Sequence, residues 1–166
     1  MAETITKIKD AFRLFEAKLK EAVAELDQKD QIGIERLTSL ENYNLVHPRG
    51  VYGLMFNGDQ YIKDERVRSN NVFMKRDMLI GVVSIIRFFE NPGASIGNYP
   101  MMPSEYTEIA INAITGIEVE NNRPEYERKI IPLRTELVDQ EKEVWKYLTT
   151  FSVPLDFIET VYRQTD

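Results

Sequence analysis

The chain contains no cysteine, one histidine and one tryptophan in 166 residues. Without cysteine there is no disulfide framework and no thiolate zinc site. With His47 as the single imidazole, standing beside Pro48, a serine nucleophile has almost no choice of base, and no Gly-x-Ser-x-Gly elbow is present. His47 is therefore read as a solvated or hydrogen-bonded loop residue. Glycines 50, 53 and 58 sit in strand or turn context and lack the Lys-Ser/Thr that completes a phosphate-binding loop. The longest apolar run, Met78 to Phe89, is broken by Ser84 and Arg87 and is too short to span a bilayer. The opening Met1-Ala2-Glu3-Thr4 has no basic stretch leading into an apolar one, so no signal peptide and no membrane association are expected. Positive charge is also short: 21 Lys and Arg stand against 27 Asp and Glu, a net charge of −6. A dedicated nucleic-acid binder needs a basic face to neutralise phosphates, whereas a protein that works near DNA without adhering to it favours a negative surface.

What is present is folding material for one domain, residues 1–166. Ile5, Ile8, Phe12, Phe15, Leu19, Ala22 and Leu26 recur every three or four residues. They predict a long amphipathic N-terminal helix with Thr4 as its N-cap and Glu16–Lys20 paired on its outer face. A polar connection follows to residue 44. Val46, Val51, Tyr52 and Phe56 suggest a strand limited at its start by Pro48, and Asn57-Gly58-Asp59 predicts a tight turn. From there a long polar loop is expected at about 57–71, leading into a strand near Val72–Lys75.

Leu79 to Phe89 is apolar on both alternations, the pattern of a central strand covered on both faces. Asn91-Pro92-Gly93 ends it, and a second helix is predicted from Pro103 to Thr115, stopped by Gly116. Ile131, Leu133, Thr135 and Leu137 alternate with Arg134 and Glu136, so a strand with one buried and one wet face is expected. A turn at Asp139–Lys142 leads to a return strand, Val144 to Val153, closed by Pro154 and carrying Trp145, Tyr147 and Phe151 as core. The tail 155–166 reads equally as helix or strand. The order of elements implies an α+β fold, a mostly antiparallel β-sheet flanked by helices.

Three groupings could carry chemistry. Asp139, Glu141 and Glu143 alternate as a hard cation would want, but they lie at a predicted hairpin tip where charge is commonplace. Glu127 and Lys129 match the Glu-x-Lys half of a metal-dependent nuclease signature, with no convincing Asp one strand earlier. Tyr61, Lys63, Arg66 and Arg68 form a basic segment suited to contact with phosphate, or with a subunit or partner protein. No catalytic residue, metal ligand or cofactor site is assigned.

The second helix ending at Gly116, then Ile131-Pro132-Leu133, then a hairpin whose return strand carries Val144-Trp145-Lys146-Tyr147 and Phe151, resembles the tail terminator (tail-completion) proteins of Mu-like phages and prophages. The similarity covers about two-thirds of the chain, residues 1–26 and 72–154. It implies a non-enzymatic structural protein of the virion tail, assembled in the bacterial host cytoplasm. There it would form a homo-oligomeric, hexameric ring on the head-proximal end of the tail tube. Such a ring ends tube polymerisation, contacts the tube protein, and offers a head–tail joining surface to sheath and head connector proteins. DNA would only pass through the lumen. The alternatives are another phage neck or tail component, or a nuclease using Glu127 and Lys129.

Overall fold

The computed structural model describes residues 2–41, 43–63, 71–88 and 101–161, with the backbone alone for 63, 71–73 and 157–161. Among the described residues five strands form one sheet: β1 (Gly33–Arg36), β2 (Gly50–Lys63), β3 (Asn71–Arg87), β4 (Ile131–Glu141) and β5 (Val144–Val161). Their order across the sheet is β1-β2-β3-β5-β4, with every pair antiparallel except β1 and β2. The helices are α1 (Ile8–Ala24) and α2 (Pro103–Ile114). The expected α+β class, with a mostly antiparallel sheet and a long N-terminal helix, is what forms.

The doubly apolar segment of β3 lies at the centre of the sheet. On one face Met78, Ile80, Val82 and Ile86 pack with Phe15 and Leu19 of α1 and with Tyr106, Ala110 and Ile114 of α2. Phe15 meets Phe151 of β5 edge to face, with ring centroids 5.6 Å apart. On the other face Val83 and Ile85 join Val51 beneath Leu37, Leu40, Tyr43 and Leu45. The two covers are therefore of different kinds, a helical layer and an irregular segment. Each large side chain buried this way contributes roughly 1.5–3 kcal/mol. α1 packs over β1 and β2, and α2 over β3 and β5.

α1 starts later than expected. Its N-cap is Lys7, and the Thr4 hydroxyl instead donates to the Glu120 carboxylate at 2.9 Å. The first turn is closed by Asp10, whose carboxylate accepts from the Thr6 and Lys7 amides (3.1 and 3.0 Å) and the Thr6 hydroxyl (3.0 Å). Those hydrogen bonds, the Thr6 amide foremost, hold the Asp10 carboxyl below its ordinary value of 3.8. A lowered folded-state pKa stabilises the fold above the unfolded value, and that stabilisation is lost as pH falls through the folded value. Asp10→Asn is therefore expected to lower the melting temperature at neutral pH. The difference between the two proteins should shrink below about pH 4, in thermal melts followed by circular dichroism. Glu16 and Lys20 pair as expected, at 2.8 Å.

Four expectations are corrected by non-local pairing. β1 lies in the segment read as connection; Gly33-Ile34-Glu35-Arg36 is too short for a periodic signal and owes its conformation to pairing with Val51–Leu54. Asn57-Gly58-Asp59 is not a hairpin turn. β2 runs through it to Lys63, with a register shift between Phe56 and Asp59, and Gly58 sits at φ +93°. The left-handed backbone that suits a tight turn equally suits a bulge, and the pairing of Gln60–Lys63 with Met74–Asp77 decides for the bulge. The polar loop expected at 57–71 is thereby reduced, because β2 reaches Lys63 and β3 begins at Asn71; 64–70 lie outside the described residues. Finally, Pro154 does not end the last strand. It stands opposite Asp77 at a second register shift, where the ladder is already interrupted and a missing N–H does least harm. β5 continues to Val161, so the tail is strand that far, and 162–166 lie outside the described residues. α2 matches expectation closely, and the loop expected before it falls mostly outside the described residues.

Candidate assembly surface

β4 departs furthest from its sequence pattern. The alternation predicts a buried face, yet Ile131 and Leu133 are each 49% exposed, Leu137 48% and Val138 43%. β4 is the outermost strand, and the helices pack on its neighbours rather than on it. Two register shifts, between Pro132 and Arg134 and between Leu137 and Asp139, place Leu133 and Val138 at bulges and break the period of two. Thr135 and Leu137 oppose Thr149 and Tyr147, which in turn oppose Val82 and Ser84, so these β4 residues share the helix-bearing side of the sheet. Of the three β5 aromatics expected in the core, Phe151 is buried, whereas Trp145 and Tyr147 are half-buried beside β4.

The backbone edge of β4 is poorly suited to adding another strand. Pro132 offers no N–H, both bulges deform the edge, and Arg134, Glu136, Asp139 and Glu141 place charge along it. The exposed aliphatic side chains are spread along the strand: Leu137 lies on the helix-bearing side, Leu133 and Val138 at the bulges, and Ile131 on the other side, opposite Ser152. Arg134, Glu136 and Asp139 share that other side, where Arg134 meets Glu136 at 2.7 Å and Lys146 meets Asp139 at 3.5 Å. The tip turns at Lys142, with φ +54°. Thus Asp139, Glu141 and Glu143 do lie at a hairpin tip, and Asp139 is engaged by a lysine.

Of the four residues named as possible contacts, Tyr61 alone has a described side chain. Tyr61 is 52% exposed on β2 beyond the bulge, its hydroxyl 3.4 Å from Asp59 Oδ2. Lys63 ends β2 opposite Met74. Arg66 and Arg68 lie outside the described residues.

His47 and Glu127 are each engaged by a side chain of opposite or complementary character. His47 Nε2 lies 3.2 Å from Glu35 Oε1, and Glu35 Oε2 accepts from the Tyr43 hydroxyl at 2.7 Å. Burial, with help from Glu35, pushes the Tyr43 hydroxyl well above its ordinary range. This brace ties residues 43–47 to β1. Glu127 meets Lys75 at 2.7 Å, while Lys129 is exposed and bridges Glu118 through its backbone. Among the described residues no three His, Asp or Glu side chains converge as a metal site.

Sequence reasoning missed a belt of charge where β2, β3 and β5 slip register. Asp59 pairs with Arg76 at 2.9 Å, and that hydrogen bond raises the pKa of the Arg76 guanidinium. Arg123, 4% exposed, pairs with Asp77 at 2.7 Å. The signal was the run Lys75-Arg76-Asp77 interrupting otherwise strand-forming sequence. Comparison of the chain with models of protein families and with curated proteins returns no match.

Proposed function

We propose that this chain is a structural subunit that acts by self-assembly, as a tail terminator of the Mu-like phage and prophage type. Copies form a ring on the head-proximal end of the tail tube, stop its polymerisation, and present a surface for head–tail joining. The observation that carries this reading is the edge strand β4, along which four large aliphatic side chains, Ile131, Leu133, Leu137 and Val138, are each more than 40% exposed. An apolar patch on an outer strand, rimmed by charge, is the signature of a protein contact rather than of a reaction centre. The negative net charge of −6 suits a passage through which DNA slides without adhering. The nuclease alternative draws no support from the geometry, because the Glu127 carboxylate is bonded to Lys75.

The test is electron microscopy of tail tubes polymerised from the tube protein of the same genome, with and without this chain. With it, tubes should end in a ring at one tip and stop growing. Tubes that elongate equally in its presence and carry no added density at either end would overturn the proposal.

A further inference from the structure

We infer that the outer ends of β2, β3 and β5 form a unit that opens and closes on the rest of the sheet, with Arg123 as its pivot and Glu127 as its latch. The unit comprises residues 59–63 of β2, 71–75 of β3 and 157–161 of β5, which pair with one another beyond the two register shifts. The latch is independent of the assembly reading, and either can fail while the other stands.

Two observations draw the line on which the unit turns. First, the ladder slips twice between Arg76 and Leu79 of β3. Asn57 and Gly58 of β2 together face Leu79, and Leu155 and Asp156 of β5 together face Arg76. β3 itself runs straight through, while a bulge in each neighbour bends that strand and interrupts its pairing. Second, the apolar cover ends at the same place. Among the described residues the core beneath the helices reaches Leu54 in β2, begins at Met78 in β3 and ends at Leu155 in β5. Beyond the line Tyr61 and Ile62 are 52% and 44% exposed, and Met74, Lys75, Arg76 and Asp77 are half-buried. Strands held by ladder hydrogen bonds, with few buried apolar contacts, open locally at lower cost than the whole fold.

The segment between α2 and β4 grips this line. It is rooted in the core through Val119 and Ile130, both fully buried. From that root the Asn121 side-chain amide donates to the Pro154 carbonyl at 3.1 Å, and Arg123 donates to the Leu155 and Arg76 carbonyls. These contacts lie on the line itself and mark the pivot. Glu127 reaches past it: Oε1 meets Lys75 Nζ at 2.7 Å, and Lys75 is paired with Ile62 on one side and Phe157 on the other. One ion pair thus ties all three outer strands to the body. The closed position is not fully satisfied. Among the described residues Asp59 Oδ1, Arg76 Nε and Glu127 Oε2 are buried without a hydrogen-bond partner. Such atoms disfavour the closed position, because opening returns them to water.

Because β3 runs through both halves, its own amides report both, and hydrogen exchange followed by NMR reads them residue by residue. In the unsubstituted protein the amides of 71–75 should exchange at least about tenfold faster than those of 80–85. Glu127→Gln keeps the shape of the latch and removes its charge. It should speed the outer amides by a further factor of about ten and the inner ones by less than about threefold. Glu125→Gln, at an exposed carboxylate in the same short turn, should change neither group. Outer and inner amides that exchange at one rate in the unsubstituted protein, or that accelerate by one factor in Glu127→Gln, would show that the ends open only with the whole fold and would overturn the inference. An unchanged outer half in Glu127→Gln, or an equal acceleration in Glu125→Gln, would remove Glu127 as the latch.

Discussion

Replacing Arg123 with methionine is expected to destabilise the fold by about 3–5 kcal/mol, read as a shift in the urea midpoint. The side chain is 4% exposed and sits where β3 and β5 slip register. Its Nε donates to the Leu155 carbonyl at 2.6 Å, its Nη2 donates to the Arg76 carbonyl, and the same nitrogen meets Asp77 Oδ1 at 2.7 Å. A bulge leaves backbone carbonyls that the strand ladder does not reach, and one guanidinium with its rigid fork of donors serves two of them and a carboxylate. Methionine keeps most of the volume, so the loss is polar: two carbonyls lose a donor and Asp77 loses its counter-charge in a partly buried site. Adding Asp77→Asn to the same chain should recover part of the loss, because a neutral amide is less costly to leave without a cation. A midpoint shift equivalent to less than about 1 kcal/mol would mean that water replaces the guanidinium there.

Gly50→Ala is expected to cost a comparable amount, about 3–5 kcal/mol, from strain in the backbone together with overpacking. Gly50 opens β2 at φ +153°, a conformation that side-chain-bearing residues rarely adopt. A methyl group there would lie 2.4 Å from the Ile85 carbonyl oxygen and 2.9 Å from Ile86 Cδ1. The first of these is backbone in the central strand, paired on both sides and unable to retreat. Gly58 supplies the control. Its φ is +93°, but nothing lies within 4 Å of the added methyl, so Gly58→Ala should cost only the conformational part, about 1–2 kcal/mol. Equal urea midpoints for the two variants would refute the steric argument.

How much of this was legible in the sequence depends on how local each signal is. α1, α2 and the central segment of β3 announce themselves through spacing within a few turns or residues, and they form close to where the spacing places them. Thr4 failed as N-cap because Asp10 can satisfy the Thr6 and Lys7 amides from inside the first turn, while Thr4 is drawn away to Glu120. Asn57-Gly58 was read correctly as a site of left-handed backbone and wrongly as a reversal, because a bulge and a turn use the same residues. The charge belt was invisible for a related reason: Arg123 and Asp77 lie 46 positions apart, and only the folded sheet makes them neighbours. Of the candidate contact surface, the hairpin was anticipated, but its apolar residues were assigned to the core.

The sequence by itself determined the class of the fold, the two helices, the identity of the central strand and the lack of thiol chemistry, because composition and short-range periodicity act before any long-range contact exists. Tertiary structure alone decided that β1 is a strand, that β2 and β5 run past their apparent stops, and that the aliphatic side chains of β4 meet solvent. Periodicity says only that one side of a strand is apolar. Whether that side is buried depends on which elements lie above it, and here α1 and α2 cover the other strands, which leaves β4 exposed.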